Sequence, residues 1–334
     1  MLRRFIIVLT AAAFIAAAWL WATAPAPVEG VPELPHVSTP VGDWLAQREA
    51  QAQSLNPLTA GAEKHITWYG PQGQSTPLAV VYLHGFSATR QEIAPVPERI
   101  AHELGANLFA TRLSGHGHPQ RAMQDITAED LLGDAAEALA VGRAIGERLV
   151  IIGTSTGATL AVAMSELEGF EAVGALILLS PNFGPADPNS EHLTGPGGPQ
   201  LARLLIGKQH QWEAANDLQA RYWTTAYPVD ALVEMMRLVQ FTRELLPLST
   251  QASLMVIYSP HDTVISTSRI QQSWNLIQSP HRQMILLPDA DDPGNPGMHV
   301  MTGDIMAPQN TDITVRQVVD FIRARSSKQD DGGV

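Results

Sequence analysis

The serine at position 155 lies in a sequence whose spacing is typical of an activated nucleophile. It is the centre of Gly153-Thr154-Ser155-Thr156-Gly157, a G-x-S-x-G pattern that follows the apolar run 149–152 and precedes a helix-like stretch from Ala158. In such a strand-to-helix reversal the flanking glycines remove clashing side chains and the serine hydroxyl is pushed outward. The pattern therefore predicts a nucleophilic serine. The competing interpretation is an ordinary Gly/Ser turn.

A serine hydroxyl needs a base, and the base needs an acidic group that holds its tautomer. Hydrolases with this serine pattern carry the acid and then the histidine downstream of the serine. Residues 254–258 are predicted as a strand, and Asp262 lies in the loop that leaves it. Residues 284–287 are predicted as the next strand, and His299 lies between that strand and the final helix. We therefore predict Asp262 as the acid and His299 as the base.

Other residues compete for both roles. His261 adjoins the predicted acid and His281 precedes the last strand, so both are interpreted as exposed loop histidines. Three carboxylates after the last strand are rivals for the acid, and with a nearby amide they could also form a calcium loop: Asp289, Asp291, Asp292 and Asn295. A solvated acidic turn is the preferred interpretation of this cluster.

The developing oxyanion needs donors, and two backbone amides are candidates. Strand residues 80–83 lead into His84-Gly85-Phe86-Ser87, where Gly85 allows the chain to turn so that the Phe86 amide faces the nucleophile. The Thr156 amide, directly after the serine, is the predicted second donor. His84 and the loop 112–118 are predicted to brace the site, and no acidic residue stands at ligand spacing beside the histidines of that loop.

The elements that position these residues alternate between short apolar runs and amphipathic stretches, which predicts a mostly parallel central sheet flanked by helices. The predicted strands are 78–83, 107–112, 149–153, 175–180, 253–259 and 283–288. The predicted helices are 92–104, 127–145, 158–168, 268–277 and 313–324. The polar candidates follow strands, where open α/β sheets place their sites.

Residues 185–247 break this alternation and are predicted as a helical cap inserted over the strand ends. The segment carries seven large apolar residues that could line a pocket for a hydrophobic substrate: Trp212, Tyr222, Trp223, Tyr227, Met235, Met236 and Phe241. Ordinary packing of the cap is the competing interpretation for each of them.

Residues 1–24 are predicted as a membrane anchor or signal segment. Arg3 and Arg4 precede the uncharged run 5–22, about 27 Å as a helix, which is long enough to span a bilayer with the basic end cytoplasmic. The expected location is the inner membrane with the domain in the periplasm. Cleavage at Ala22-Thr23-Ala24 is the alternative, and Pro25 argues against it.

The rest of the chain is predicted to form one domain. Residues 25–40 are Pro-rich and are expected to space the domain, 41–325, from the membrane, and the polar tail 326–334 is predicted to be disordered. The 334 residues carry 21 basic and 33 acidic side chains, a net charge of −12, which disfavours nucleic acid as a partner. The absence of cysteine excludes disulfides, thiolate metal sites and a cysteine nucleophile.

Taken together, these motifs resemble the α/β-hydrolase superfamily, and within it the monoacylglycerol-lipase-like and serine-aminopeptidase-like branch. The resemblance covers about residues 66–324 and rests on 82–86, 112–117, 153–157, 259–264 and His299. It implies a Ser155-Asp262-His299 hydrolase that needs no cofactor and commonly acts on carboxylic esters. The apolar residues of the cap favour a small hydrophobic ester over a charged substrate, and no metal is expected. The threonines at 154 and 156 and the cap depart from the family pattern.

Other functions remain open because a fold does not fix an activity. An exported aminopeptidase would need a carboxylate to hold the substrate amine, for which the cap offers Glu213, Glu234 and Glu244. A thioesterase or an acyltransferase would use the same three residues. A non-catalytic binding protein is the second class, and the complete set of serine, acid and histidine argues against it.

Overall fold

The computed structural model describes residues 10, 18, 20–119, 122–288 and 295–330. The strands are β1 (His65–Thr67), β2 (Thr76–Leu83), β3 (Asn107–Ala110), β4 (Gly146–Thr154), β5 (Val173–Leu179), β6 (Gln209–Gln211), β7 (Ala226–Pro228), β8 (Leu248–Ser249), β9 (Ser253–Tyr258), β10 (Ile277–Gln278) and β11 (Arg282–Leu286). Seven of them form the central sheet in the order β1-β3-β2-β4-β5-β9-β11. All neighbours in this sheet are parallel except β1, which pairs antiparallel with β3.

Helices cover the sheet on both faces. They are α1 (Val41–Leu55), α2 (Val96–Leu104), α3 (Ala128–Ile145), α4 (Thr156–Ala163), α5 (Gly198–Leu205), α6 (Asp217–Tyr222), α7 (Val229–Glu244), α8 (Thr267–Leu276) and α9 (Thr311–Asp330). Short 3-10 turns occur at Met164–Glu166, Phe170–Ala172, Pro188–Thr194 and Pro308–Asn310.

The core lies on the two sides of the sheet because successive strand residues face opposite ways. In β2, Val81 and Leu83 pack into one apolar cluster with α3 and α4, whereas Val80 and Tyr82 pack into the other with α2 and α9. All four side chains are fully buried. This burial on both faces explains why the central strands are continuous apolar runs rather than alternating ones.

The predicted fold class, a mostly parallel sheet flanked by helices, is confirmed. The sequence interpretation missed β1 and α1, and it began α2 at residue 92 instead of Val96. Pro95 accounts for the later start, because the residue before a proline disfavours helical backbone angles. The predicted helix 158–168 begins at Thr156 and ends at Ala163, followed by a 3-10 turn.

The chain between β5 and β9, residues 180–252, is named the β5–β9 segment. It contains α5, α6, α7 and the antiparallel pair of β6 and β7. Its last helix, α7, packs against α3 and α4 and so joins the layer of helices beside the sheet. The earlier part, with α5 and α6, contributes to the cavity described below.

The Pro-rich stretch 25–40 is extended, as its composition predicts, but it packs along the domain instead of spacing it from a membrane. Val28 is buried, and Val31, Leu34 and Val37 pack against the same core cluster. The guanidinium of Arg237 on α7 also donates a 2.7 Å hydrogen bond to a backbone carbonyl of this stretch. The expectation of a free spacer is corrected because these valines and this leucine bury apolar surface on the domain.

Most of the predicted anchor, 1–24, lies outside the described residues, as does the end of the tail, 331–334. Among the residues that are described, no helix is long and apolar enough to cross a membrane. Helix α9 continues to Asp330, so 326–330 are helical where disorder was predicted. No proline or glycine occurs before Gly332 to end the helix earlier.

Candidate active site

Ser155 stands at the sharp reversal between β4 and α4. Its backbone has φ 52° and ψ −117°, a combination that a non-glycine residue adopts at a cost and that clusters at functional sites. The backbone N–H of Ser155 donates to the carbonyl of Leu179 at 2.8 Å, which ties the reversal to the end of β5. The side chain is 6% exposed, so the hydroxyl reaches only the cavity that it lines.

The two glycines of the pattern are required by close packing. A Cβ on Gly153 would lie 2.5 Å from the carbonyl oxygen of Gly157, and a Cβ on Gly157 would lie 2.1 Å from the carbonyl oxygen of Leu83. Real Cβ atoms do not approach so closely, so the start of α4 can press against the ends of β2 and β4 only with glycine at both positions. The predicted strand, turn and helix are thus present.

Asp262 and His299 are brought together from two different loops. Asp262 follows β9, and its Oδ1 accepts hydrogen bonds from the backbone N–H groups of Val264 at 2.8 Å and Ile265 at 3.0 Å. Its Oδ2 lies 2.7 Å from Nδ1 of His299, and the Asp262 side chain is fully buried in this pair. This arrangement places the proton on Nδ1 and directs Nε2 away from the acid.

The electrostatics of the pair favour a charged imidazole. Burial lowers the pKa of His299, but the charge and hydrogen bond of Asp262 and the charge of Glu92 outweigh it, so the pKa is raised above its ordinary value. The loop carrying His299 is held in place by Ser180, whose Oγ donates to the His299 carbonyl at 2.7 Å.

The two competing histidines lie away from the cavity, whereas Asn295 of the proposed calcium loop lines it. His261 and His281 are both exposed, and within the described part of the chain neither lines the cavity that holds Ser155 and His299. Asp289, Asp291 and Asp292 lie outside the described residues. Asn295 is buried, and its Nδ2 donates to the carbonyl of Val300 at 2.9 Å. The side chain of Asn295 thus holds the loop that carries His299.

The loop after β2 closes against the nucleophile turn. A Cβ on Gly85 would lie 3.2 Å from the Cβ of Ser155, so this backbone passes directly beside the serine. Phe86 and Thr156, whose amides were predicted as oxyanion donors, both line the cavity with Ser155. Both predicted donor residues therefore border the same cavity as the serine.

Two buried histidines brace this loop. Nδ1 of His84 lies 2.8 Å from the carbonyl of Gly85, and its Nε2 accepts from the N–H of Leu113 at 3.0 Å. Nε2 of His116 accepts from the N–H of Ser87 at 3.0 Å. Burial lowers the pKa of both rings, to about 4 for His116, so both act as neutral acceptors. Within the described residues, no group of three or more histidines or acids is placed to hold a metal ion.

The cavity has a volume of about 810 Å³ and is enclosed by the strand-end loops and the β5–β9 segment. Of the seven apolar residues that were predicted to form a pocket, four line it: Trp212, Trp223, Tyr227 and Met235. Tyr222, Met236 and Phe241 pack elsewhere in the cores, as the competing interpretation held.

Only one of the three candidate amine-binding glutamates borders this cavity. Glu213 lines it. Glu234 accepts from the N–H of Ala128 at 3.0 Å and pairs with Arg237, and Glu244 is exposed at the end of α7.

Sequence reasoning missed Glu92, a fully buried carboxyl that lines the cavity beside the loop of Gly85. Its Oε2 accepts from the N–H of Gly85 at 2.7 Å. The sequence shows an acidic residue seven positions after that glycine. It was overlooked because residue 92 was assigned to the start of a predicted helix.

The sequence pattern of the alpha/beta hydrolase family matches residues 80–303, which contain every element of this site, and the chain belongs to that family. A comparison with curated proteins finds no match.

Solved structures share the fold at low sequence identity. One reported for LipS and LipT, two metagenome-derived lipolytic enzymes, has a TM-score of 0.64 and 20% identity, covering 80% of this chain and 99% of that one. A soluble variant of monoglyceride lipase from Saccharomyces cerevisiae, in complex with a substrate analogue, has a TM-score of 0.56 and 12% identity, covering 89% and 98%. The monoacylglycerol lipase of Paleococcus ferrophilus has a TM-score of 0.53 and 13% identity, covering 77% and 96%.

Proposed function

We propose that this alpha/beta hydrolase cleaves carboxylic esters with Ser155 as its nucleophile. The observation that carries the proposal is the convergence of three independent parts on one cavity. These parts are the strained Ser155 turn, the hydrogen-bonded pair of Asp262 and His299, and the Gly85 loop that passes beside the serine.

The mechanism follows from these groups. Nε2 of His299 takes the Ser155 proton as the hydroxyl oxygen attacks the ester carbonyl, and Asp262 stabilises the imidazolium that forms. The amides of Phe86 and Thr156 donate to the oxyanion. The tetrahedral intermediate collapses to an acyl-serine as His299 returns the proton to the departing alcohol. Water, deprotonated by His299, then attacks the acyl-serine, and the second tetrahedral intermediate releases the carboxylic acid as His299 returns the proton to the Ser155 oxygen.

The cavity favours an apolar acyl or alcohol group. Its lining includes Trp212, Trp223, Tyr227 and Met235, which can contact hydrocarbon without offering a charge. The β5–β9 segment would serve as the cap that binds a hydrophobic ester of medium chain length. The structural neighbours described above, lipolytic enzymes and a monoacylglycerol lipase, support this substrate class.

The test is hydrolysis of p-nitrophenyl esters from acetate to palmitate by the full chain in mild detergent. The full chain is needed because residues 28–37 pack on the core. Ser155→Ala is the inactive variant and Ser54→Ala, an exposed serine on α1, is the matched control. We expect turnover by the native chain and by Ser54→Ala, and none above background by Ser155→Ala. Equal turnover by Ser155→Ala would refute the proposal.

A second candidate, an aminopeptidase, is favoured by one observation, the position of Glu213 on the cavity wall. A carboxylate there could bind the ammonium group of an aminoacyl substrate. Aminoacyl p-nitroanilides distinguish the two functions: an aminopeptidase would cleave them faster than esters of similar size, and Glu213→Gln would abolish the preference.

The location of the chain is also proposed from sequence. The basic pair Arg3 and Arg4 before the uncharged run 5–22 supports export of the domain with the segment as a membrane anchor. Fractionation of cells that express the full chain tests this. Recovery in the membrane fraction, with the domain open to protease added from the periplasmic side, is the expected result. Recovery in the cytoplasmic fraction would contradict the proposal.

A further inference from the structure

Glu92 is a buried carboxyl at the wall of the active-site cavity to which the mechanism above gives no role. Its side chain is 2% exposed and lies in the turn between β2 and α2. A charged or polar group is rarely buried without a partner, because desolvation costs several kcal/mol. The hydrogen-bond partners of Glu92 therefore indicate which part of the active site it positions.

The partners of Glu92 lie on β2 and in the loop that follows it, and one of them reaches the turn of the reacting serine. Oε2 of Glu92 accepts from the N–H of Gly85 at 2.7 Å and from the hydroxyl of Tyr82 at 2.9 Å. That hydroxyl lies 3.3 Å from Oγ1 of Thr154, the residue before Ser155. A chain of contacts thus runs from the loop that carries the Phe86 amide to the turn that carries the Thr156 amide.

Glu92 also acts on the base through space. Its charge is one of the influences that raise the pKa of His299, and the charge of His299 in turn lowers the pKa of Glu92. Burial dominates for Glu92 and raises its pKa to about 7. In the geometry, Nδ1 of His299 is hydrogen-bonded to Asp262, and Glu92 lines the same cavity as His299.

We propose that Glu92 is a positioning residue for the proposed ester hydrolysis: it fixes the Gly85 loop against the nucleophile turn and stabilises the imidazolium of His299. The inference rests on the proposed function and deepens it. The hydrogen bond to Gly85 sets the direction of the Phe86 amide that follows in the chain. Because the oxyanion and the imidazolium form in the same step, one carboxyl supports both charges of the transition state.

The surroundings of Glu92 define a clean test of its charge. Among the residues that the structure describes, the titratable groups that face Glu92 or its partners are Tyr82 on β2, Glu98 on α2, His299 and, beyond that ring, Asp262. Burial raises the pKa of Tyr82 well above its ordinary value, so the phenol stays protonated. Substitution of Glu92 therefore changes one charge near His299 and leaves the other, Asp262, in place.

The experiment compares Glu92→Gln with native protein on the best p-nitrophenyl ester, with kcat and KM measured from pH 5 to pH 9. Glutamine keeps the size of the side chain and one acceptor oxygen but removes the charge. We expect kcat to fall about 10- to 100-fold, less than complete loss of an oxyanion donor, with little change in KM. The acid limb of kcat/KM should move to lower pH, because His299 loses a negative neighbour.

Two further variants separate the roles. Glu92→Asp keeps the charge but shortens the arm to Gly85, so kcat should fall while the acid limb stays. Glu98→Gln, the same substitution at a partly buried glutamate on the next helix, is the matched control and should leave both quantities near native. If Glu92→Gln fails to fold, Tyr82→Phe removes both the hydrogen bond to Glu92 and the contact with Thr154 but leaves the carboxyl in place, and it should lower kcat.

The outcomes are distinct. Native kcat and an unmoved acid limb in Glu92→Gln would overturn the role of Glu92 while leaving the proposed function intact. Equal shifts in Glu92→Gln and Glu98→Gln would also overturn it, because the effect would then be general. A native chain with no turnover of any ester would overturn the proposed function and this inference together.

Discussion

Two regions border the cavity, the strand-end loops and the β5–β9 segment, and they differ in how their side chains are held. The polar residues of the loops are buried and fixed by hydrogen bonds, as with Ser155 at 6% and Asp262 at 8% exposure. On α5 of the β5–β9 segment, Leu204 and Leu205 are 79% and 75% exposed. The loops therefore present a rigid set of reacting groups, whereas α5 of the β5–β9 segment presents exposed apolar side chains.

The difference assigns separate tasks to the two regions. Groups that stabilise charge in a transition state must be fixed in advance, and the loops satisfy this requirement. An apolar wall needs only size and hydrophobicity, and leucines on a small helix provide both. Changes in the loops should therefore alter kcat, and changes in α5 should alter KM and chain-length preference.

The largest effect is expected for Asp262→Asn. An amide at this position can present its NH₂ group to Nδ1 and favours the wrong tautomer of His299, so kcat should fall about 10,000-fold. Steady-state kinetics on the best ester measures this, with circular dichroism as the check on folding. A loss of less than about 10-fold would show that Asp262 is not the acid that orients His299.

Gly85→Ala should have the next largest effect. Its Cβ would lie 2.6 Å from Oε1 of Glu92 and 3.2 Å from the Cβ of Ser155, so the loop must move. We expect kcat to fall about 100-fold, as for displacement of an oxyanion donor. Gly70→Ala is the matched control, since nothing lies within 4 Å of its added Cβ. Equal activity of the two variants would mean that the loop position does not matter.

The pH dependence of the native protein gives a smaller, graded effect. Catalysis needs neutral His299, and Asp262 and Glu92 raise its pKa above the ordinary 6.5 in spite of burial. On the acid side of the profile, kcat/KM should therefore fall about tenfold per pH unit, and this fall should begin above pH 6.5. A pH profile of kcat/KM measures the limb. A limb well below pH 6 would contradict the electrostatics described for the pair.

The smallest effect is expected on α5. Leu205→Asp places a charge at the apolar edge of the cavity, so KM for long-chain esters should rise about three- to tenfold while kcat for acetate is unchanged. Leu55→Asp, at an 80% exposed leucine on α1, is the control. An equal loss of kcat on acetate in Leu205→Asp would show that the segment also positions the reacting groups.

The positions of the strand-end loops were easier to predict from the sequence than the contacts of the β5–β9 segment, for a physical reason. Ser155, Asp262 and His299 each follow an apolar strand, and parallel strands bring their carboxyl ends to one edge whatever the rest of the chain does. Glu92 was missed because its partners, Gly85 and Tyr82, are chosen by the packing of the turn and not by a local pattern.

The contacts of the β5–β9 segment and of residues 25–40 could not be predicted in the same way. The burial of Val28 and the packing of α7 on α3 and α4 depend on tertiary contacts between distant residues. The sequence analysis predicted 25–40 as a free spacer and 185–247 as a cap, because the pattern of apolar residues does not state which surface covers them.

The central claim, that Ser155 is the nucleophile, is tested most directly by covalent labelling. The native chain would be incubated with a long-chain fluorophosphonate, and the intact mass and the labelled peptide would be determined by mass spectrometry. The account predicts one adduct per chain on Ser155, with labelling lost in Ser155→Ala and retained in Ser54→Ala. A native chain that hydrolyses esters but carries its adduct on another residue, or carries none, would contradict it.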